Sequence, residues 1–254
     1  MKAGELVSVS VVSHGQGGLV GTLLGDFAAR VATPIEILLT VNIPETLPFD
    51  PAHFGFPLRI VTNVHPKGFG ANHNAAFHES RGSHFCVLNP DIRLEHDPFP
   101  ALVDCLNQPG IGVVAPLIRD PAGRIEDHVR SFPTPWTILH KALFGGGLDD
   151  AIGAEYPDWV AGMFMLFPRD VFDEIGGFDE RYFLYYEDVD LCARLAAGGR
   201  RVRVCRAVSA IHAARRESRR RLRYMGWHLS SMLRFFLRRA APGRSTKPGV
   251  SRDP

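Results

Sequence analysis

The first 118 residues alternate between strand-like runs and helical or turn-rich segments, and this alternation constrains the fold more than any other feature of the chain. The runs are rich in Val, Ile and Leu, which is typical of strands that are buried on both faces of a sheet. The alternation predicts an α/β domain with a mostly parallel central sheet and helices on both faces. The predicted strands cover residues 6–12, 35–41, 58–64, 83–88 and 112–117.

Polar residues follow the ends of several predicted strands. His14, Asn42, Lys67 and Asp91 each lie just past a strand. In open α/β sheets, ligands bind beyond the carboxyl ends of the strands. We therefore expect these four side chains to share one crevice.

Beyond residue 118 the alternation weakens. Residues 119–158 are rich in Gly and Pro, which predicts long loops. Regular patterns then predict a strand at 159–167, a short helix at 171–175, a helix at 188–197, a strand at 201–205 and a helix at 222–239. The sequence thus indicates one domain over 1–218, a basic amphipathic helix within 219–241 and a disordered tail at 242–254.

Asp91 directly follows a buried strand in the sequence Asn89-Pro90-Asp91. A carboxylate at the end of a strand can hold Mg²⁺ or Mn²⁺ against a diphosphate, because hard cations prefer oxygen ligands. The alternative is that this tripeptide only forms a turn.

Asp188 lies on the apolar face of its predicted helix, because Leu191, Cys192 and Leu195 follow it at i+3, i+4 and i+7. Asp190 instead faces Arg194 at i+4, on the side that we expect to be exposed to solvent. The acidic residues could all simply complement the helix N-terminus. That explanation suits Asp190 better than Asp188, because an inward carboxylate needs a partner or a function.

Two further features are weaker signals by themselves. His212 is a ligand candidate only if the fold brings it beside Asp91; otherwise it is a structural or solvated histidine. The glycine-rich segment Lys67-Gly68-Phe69-Gly70 matches neither the dinucleotide-binding nor the P-loop pattern. A glycine-rich turn between a strand and a helix can nevertheless approach phosphates.

The four cysteines are scattered and contain no CxxC pair, which predicts neither a zinc site nor a disulfide framework and favours a reducing cytoplasm. No apolar run approaches the roughly 20 residues that a membrane-spanning helix needs. The first residues lack the apolar core of a signal peptide. These features together predict a cytoplasmic protein.

The charge of the chain is unevenly distributed. The segment 215–239 holds nine Arg and one Glu, so the rest of the chain is net acidic although the whole chain has a charge of +2. The apolar residues of this segment form a helical stripe, which suits peripheral contact with an anionic membrane at its inner face. The alternative is an ordinary helix that packs on the core and has an arginine-rich outer face. Nucleic-acid binding is not expected, because the body is acidic and contains no known nucleic-acid module. The stripe consists of Leu222, Met225, Leu229, Met232, Leu233 and Phe236.

Several blocks, in this order, resemble the family 2 inverting glycosyltransferases, especially their rhamnosyltransferase-like branch. The likeness covers roughly residues 7–218 and implies the GT-A fold, a single Rossmann-like domain. Residues 1–118 would be its nucleotide-sugar-binding half and residues 119–218 its acceptor-binding and catalytic half. The blocks are 9–14 (VSVVSH), 68–74 (GFGANHN), 88–91 (LNPD), 159–162 (WVAG), 176–180 (GGFDE) and 183–191 (FLYYEDVDL).

The resemblance implies a role for each matching residue. Asp188 would be the catalytic base, and Asp91 and His212 would hold Mg²⁺ or Mn²⁺. Trp159, Gly162 and Glu187 would border the acceptor. The donor nucleotide would lie against Ser13, His14, Asn42, Lys67, Gly68, Asn74, Asn89 and Asp91.

The implied reaction transfers one sugar, with rhamnose suggested by the branch, from a dTDP- or UDP-linked donor to a cell-surface polysaccharide or lipid-linked glycan. The sequence departs from the family at Val41, where an Asp that helps to hold the nucleoside is usual, at His14 in place of Tyr, and at Pro66 in place of Asn. Two other functions are open at this point. One is an inactive relative that binds glycan or acts as a scaffold, and the other is a sugar-phosphate nucleotidyltransferase.

Overall fold

The N-terminal half of the chain forms four parallel strands of the central sheet. In this computed structural model, which describes residues 5–144, 154–213 and 222–240, β1 (Val7–Ser13) lies between β2 (Ile35–Val41) and β4 (His84–Leu88). β3 (Leu58–Thr62) pairs with the outer side of β2. Nearly all side chains of β1, β2 and β4 are buried, including the three serines of β1, as expected for strands that are covered on both faces of a sheet.

The second half of the sheet is mixed. β9 (Phe164–Pro168) runs antiparallel between β4 and β6 (Ile111–Arg119), and β10 (Arg201–His212) runs parallel to β6. β5 (Ile92–Arg93) pairs antiparallel with the end of β10. The strand order is β3-β2-β1-β4-β9-β6-β10-β5, and only β5 and β9 oppose the common direction. The prediction of a mostly parallel sheet is confirmed.

Helices cover both faces of the sheet, as predicted. α1 (Gly17–Arg30) and α3 (Phe99–Leu106) pack in one apolar cluster on one face. A second cluster contains α2 (Phe69–Glu79), α5 (Arg169–Glu174) and α6 (Glu187–Ala197).

The prediction for residues 119–167 is partly wrong. α4 (Pro135–Phe144) is a helix within the segment predicted as loops, and β7 (Val129–Arg130) pairs with β8 (Trp159–Val160). The strand predicted at 159–167 is divided into β8 and β9, because the chain turns at residues 161–163. A continuous apolar run does not reveal such a break, since both pieces are apolar.

The prediction that the cysteines form no disulfide is also wrong. Cys105 on α3 is disulfide-bonded to Cys205 on β10, and their Cα atoms are 6.0 Å apart. The partners are 100 residues apart in sequence, so only the packing of α3 against β10 brings them together. The cysteine pattern therefore gives no argument for a reducing compartment. Cys86 and Cys192 are buried free thiols.

The C-terminal helix α7 (Leu222–Ala240) packs on the body through one face. Phe235 and Ser231 are buried there, and the Ser231 hydroxyl donates a hydrogen bond to the Leu184 carbonyl. None of the helices described is both long and apolar enough to cross a bilayer. The predicted tail at 242–254 lies outside the described residues.

α7 combines one feature of each predicted alternative, because the helix packs on the body while its outer face exposes apolar side chains. It is apolar, with Met225, Leu229, Leu233 and Leu237 each more than half exposed. This exposed apolar row differs from the arginine-rich outer face that the packed-helix alternative predicted. Arg234 lies over the ring of Tyr182, and Arg239 lies over those of Phe132 and Phe235.

Candidate active site

The ends of β1 and β2 and the loop after β3 meet at one edge of the sheet. Asn42 Nδ2 lies 3.2 Å from His14 Nδ1 and donates a hydrogen bond of 3.0 Å to the Lys67 carbonyl. The Lys67 N–H donates in return to Asn42 Oδ1, as does the side chain of Asn63. The structure thus brings together three of the four strand-end residues that were expected to share a crevice. Every polar atom of the Asn42 amide has a protein partner, so this side chain braces the crevice from within.

The side-chain amide of Asn74 is also hydrogen-bonded to protein groups through both its nitrogen and its oxygen. Its amide nitrogen donates to the Phe178 carbonyl and to Glu180, and its oxygen accepts from the Phe178 N–H. Asn74 therefore ties α2 to the segment that leads towards α6.

Ser13 is held by a carboxylate that the sequence did not identify. The Ser13 hydroxyl donates to Glu45, and the other oxygen of Glu45 accepts from the Gly17 N–H at 2.8 Å. The Glu45 side chain consequently occupies the N-terminus of α1, where a negative charge is favourable. No local pattern marks this residue, because its partners are about 30 residues away in sequence.

Gly68 permits a close approach between the glycine-rich loop and the segment before α6. A Cβ atom at Gly68 would lie 2.7 Å from the Phe183 carbonyl oxygen. The next N–H, that of Phe69, donates to this oxygen at 2.9 Å. The glycine-rich loop is therefore joined by its backbone to the segment that precedes Asp188.

Asp91 and His212 meet because β5 pairs with the end of β10, in a register that sets His212 opposite Ile92. His212 Nε2 lies 3.2 Å from Asp91 Oδ2, and His212 Nδ1 lies 2.7 Å from Oε2 of Glu126. The condition set for His212 as a ligand candidate, proximity to Asp91, is met. Burial lowers the pKa of His212, but the hydrogen bonds and charges of Asp91 and Glu126 outweigh burial and raise it above its usual value.

The second oxygen of Asp91, Oδ1, is buried and has no hydrogen-bond partner within the described residues. An unpaired buried carboxylate oxygen is unfavourable and indicates a missing partner. A carboxylate beside an imidazole suits a divalent ion such as Mn²⁺. Within residues 5–144, 154–213 and 222–240, no group of three or more His, Cys, Asp or Glu side chains has a metal-binding arrangement, so the candidate ligands among these residues are Asp91 and His212.

Asp188 lies in the first turn of α6, and its carboxylate is held by backbone donors. Oδ2 accepts from the Gly162 N–H at 3.0 Å and Oδ1 from the Val189 N–H at 2.8 Å. Burial raises the pKa of Asp188, and these two hydrogen bonds oppose that rise. The turn at 161–163 also links this carboxylate to the Asp91 loop, because the Asn89 N–H donates to the Met163 carbonyl.

The inward orientation predicted for this face of α6 is confirmed, because the apolar residues that share it with Asp188 are fully buried. These residues are Leu191, Cys192 and Leu195.

Glu187 is buried beside Asp188, and its Oε2 has no hydrogen-bond partner among the described groups. Burial, and then the charge of Asp188, raise the pKa of Glu187 to about 8. Glu187 is therefore mostly protonated at neutral pH. Because two adjacent carboxylates that are shielded from water resist double ionisation, protonation of Glu187 favours the ionised form of Asp188.

The prediction that Asp190 faces solvent is wrong. Asp190 is 2% exposed, and the predicted pair with Arg194 forms at 2.8 Å inside the protein. α7 covers this side of α6 and contributes Arg238, which binds both Asp190 and Asp179. Helical periodicity could not reveal this, because the covering helix is more than 30 residues away.

The two residues before α6 adopt left-handed backbone conformations. Tyr185 has φ 70° and Tyr186 has φ 69°, which is unfavourable for residues with large side chains. The ring of His228 on α7 lies 5.4 Å from the rings of both tyrosines, and the Trp227 ring packs at a tilt against Phe183 with centroids 4.7 Å apart. α7 thus supports the strained turn from which Asp188 projects.

Of the residues predicted at the acceptor side, Gly162 and Glu187 adjoin Asp188, and Trp159 packs against the apolar cluster that contains Val189 of α6. The Trp159 indole N–H donates to the Ser131 carbonyl, and the cation of Arg130 lies 5.7 Å from the Trp159 ring. A Cβ atom at Gly162 would lie 3.1 Å from the Phe69 ring, so glycine allows the glycine-rich loop and the turn at 161–163 to pack closely. Arg130 was not predicted, and its charge opposes the rise in the pKa of Asp188.

Comparisons with known proteins agree with this fold. No protein-family model matches the chain. The rhamnosyltransferase WbbL of Escherichia coli K12 is 31% identical over 187 residues, which cover 68% of this chain and 71% of that protein. The N-acetylglucosaminyl-diphospho-decaprenol L-rhamnosyltransferase of Mycobacterium tuberculosis is 34% identical over 131 residues. That match covers 44% of this chain and 41% of the mycobacterial protein, so the chain spans less than half of this relative.

Among solved structures, the mannosyltransferase PcManGT of Pyrobaculum calidifontis, in complex with GDP-Man and Mn²⁺, superposes with a TM-score of 0.66. The superposition covers 94% of this chain and 65% of that one at 16% sequence identity. At this identity, the likeness shows that the two chains share the same fold.

Proposed function

Because the chain belongs to the family 2 glycosyltransferases, in their rhamnosyltransferase-like branch, we propose that it transfers one sugar, with rhamnose as the first candidate, with inversion at the anomeric carbon. The donor would be a dTDP- or UDP-linked sugar. The acceptor would be a hydroxyl of a growing glycan, and the name of the mycobacterial relative suggests a lipid-linked N-acetylglucosaminyl diphosphate.

The observation that carries the proposal is the setting of Asp188. Two backbone N–H groups hold its carboxylate while burial raises its pKa, so it combines a fixed position with increased basicity. A positioned base that accepts the proton of an attacking hydroxyl contributes about 10²–10⁴-fold to the rate. A single base on the side of the sugar opposite the leaving group produces inversion. The neighbouring Glu187, largely protonated, can donate a hydrogen bond to an acceptor oxygen.

Asp91 and His212 would hold Mg²⁺ or Mn²⁺. The unpartnered buried oxygen of Asp91 and the adjacent imidazole support this assignment. An ion held by these two residues would supply positive charge against the negative charge that develops on a leaving nucleoside diphosphate.

The donor would bind along Ser13, His14, Lys67, Gly68 and Asn89. Asn42 and Asn74 would contribute by bracing this side of the crevice, because their amides are occupied by protein partners. Ser13 and His14 are carried by the segment that Glu45 and Asn42 fix, which supports a preformed nucleoside pocket.

α7 would contact an anionic membrane through Met225, Leu229, Leu233 and Leu237. Their exposure supports this role, because the contact of several neighbouring apolar side chains with water is unfavourable and such patches often mark interaction sites. α7 contains no acidic residue, and the preceding residues 215–221 include five arginines. A membrane surface would also bring a lipid-linked acceptor close to the enzyme.

The proposal is tested by measuring release of nucleoside diphosphate from a panel of dTDP- and UDP-sugars with a polyprenyl-diphosphate N-acetylglucosamine acceptor and Mn²⁺. We expect acceptor-dependent release from one donor and a product that is one sugar heavier by mass spectrometry. Donor binding without any transfer to any acceptor would instead favour an inactive glycan-binding relative.

A further inference from the structure

Glu126 lies at the metal-binding side of the crevice and has no role in the mechanism described so far. Its backbone is anchored next to β6, because the Glu126 N–H donates to the Ile118 carbonyl at 2.9 Å. The adjacent residue Ile125 forms a β-bridge with Arg119. These contacts fix the Glu126 backbone opposite the end of β10, where His212 lies.

The His212 ring lies between two carboxylates, and each ring nitrogen faces a different one. Nδ1 is 2.7 Å from Glu126 Oε2, and Nε2 is 3.2 Å from Asp91 Oδ2. The His212 and Glu126 side chains are 16% and 28% exposed, so their contact is largely shielded from water. A histidine whose Nδ1–H donates to a carboxylate has its Nε2 lone pair available on the other side.

The same geometry indicates that Glu126 is not itself a ligand of the metal ion. Glu126 and Asp91 contact opposite nitrogens of one ring, so Glu126 is turned away from the side on which Asp91 and Nε2 meet. A carboxylate in this position orients a metal-binding histidine and raises its basicity without touching the ion.

We propose that Glu126 is a positioning residue that holds His212 in the tautomer and ring orientation needed to bind the divalent ion through Nε2. This inference rests on the metal site of the proposed function. It adds a residue that lies outside every block that carries the family resemblance.

The experiment measures Mn²⁺ affinity, both alone and with dTDP, by electron paramagnetic resonance of free Mn²⁺. The proteins compared are wild type, Glu126→Ala, Glu126→Gln and the control Glu95→Gln, which removes an exposed carboxylate close to Asp91 in sequence. We expect the Ala variant to bind Mn²⁺ about 10–100-fold more weakly, as for other losses of such partners. The Gln variant should retain most of the affinity, because its amide oxygen can still accept from Nδ1–H, and the control should match wild type.

A spectroscopic measurement separates positioning from a general loss of structure. In the presence of Mg²⁺ and dTDP, ¹⁵N-histidine spectra should show His212 protonated at Nδ1 in wild type and in Glu126→Gln, and a mixture of tautomers in Glu126→Ala. If Mn²⁺ binds to wild type and to Glu126→Ala equally well, the inference is wrong while the metal site stands. If Gln weakens binding as much as Ala, Glu126 is a ligand and the positioning role is refuted. If wild type does not bind Mn²⁺, the metal assignment of the proposed function fails and the inference fails with it.

Discussion

Replacement of Arg238 by alanine tests how α7 is attached to the body of the enzyme. The Arg238 guanidinium lies 2.8 Å from Asp179 Oδ2 and 2.9 Å from Asp190 Oδ1, and these carboxylates are 0% and 3% exposed. Each carboxylate also has a second arginine partner, Arg181 for Asp179 and Arg194 for Asp190. The substitution therefore removes one of two cationic partners from each of two buried carboxylates.

The expected loss of stability follows from this arrangement. Removing one partner of a fully buried ion pair costs about 3–5 kcal/mol, because a buried charge is left unpaired. The Arg238 side chain is 23% exposed, and both carboxylates keep one arginine. We therefore expect Arg238→Ala to lower the free energy of unfolding by about 2–3 kcal/mol, below the range for a fully buried pair.

The loss of stability caused by Arg238→Ala should become smaller at low pH. Burial raises the pKa of Asp179, but its hydrogen bonds to Arg181 and the charges of Arg181 and Arg238 outweigh burial and hold the pKa below its usual value. The stabilisation is thus fully present above the unfolded-state pKa of about 3.9 and is lost as pH falls through the lower folded-state pKa. The difference between wild type and Arg238→Ala should shrink as Asp179 becomes protonated.

Urea unfolding followed by circular dichroism, at neutral pH and at the lowest pH at which wild type remains folded, measures both effects. Arg206→Ala is the matched control, because Arg206 is exposed on β10. If Arg238→Ala at neutral pH lies within about 0.5 kcal/mol of that control, in the range usual for surface substitutions, the proposed attachment of α7 is wrong.

Three further predictions concern the site and the membrane. Gly162→Ala should lower kcat about 10-fold or more in steady-state assays, because its Cβ would lie 3.1 Å from the Phe69 ring and would displace an N–H that holds the carboxylate of Asp188, the proposed base; unchanged kcat would contradict this. Since the folded-state pKa of Glu187 is raised to about 8, wild type binds more protons when folded, and its stability should fall as pH rises from about 4.5 to 8. Glu187→Gln should lack this part of the pH dependence in urea unfolding, and an unaltered dependence would refute the assignment. Leu229→Gln with Leu233→Gln should weaken co-sedimentation with anionic vesicles at least several-fold while the melting temperature stays near that of wild type, because both side chains are more than half exposed; equal sedimentation would argue against the membrane surface.

Features that depend on local periodicity could be predicted from the sequence. The alternation of strands and helices gave the sheet, and helical phase placed Asp188 on the buried side of α6. The sheet and the orientation of Asp188 both depend on residues that are close in sequence, within one or two helical turns or within a strand and its neighbour. The pattern of apolar residues is therefore sufficient to predict them.

Features that depend on distant partners could not be predicted in this way. Asp190 is buried because α7 covers it, and Cys105 meets Cys205 only through the packing of α3 on β10. The proximity of His212 to Asp91 depends on the register of a two-residue strand, which carries too few residues to produce a recognisable pattern.

Glu126 and Arg130, in the segment 119–158, could not be identified as candidate site residues from the sequence. Glu126 lies in irregular chain and Arg130 lies in the two-residue strand β7, and no periodicity separates them from the other charged residues of that segment. Their positions follow from backbone hydrogen bonds to β6 and from the pairing of β7 with β8. Such contacts appear only once the sheet is assembled.

The central claim is that Asp188 is the base of a sugar transfer, and Asp188→Asn tests it most directly. The assay measures product formation at saturating donor and acceptor together with the Kd of the donor, with Asp104→Asn as the control because Asp104 is an exposed carboxylate on α3. We predict that Asp188→Asn lowers kcat by about 10²–10⁴-fold and leaves the donor Kd nearly unchanged, while the control behaves as wild type. Turnover by Asp188→Asn within a few-fold of wild type would contradict the account.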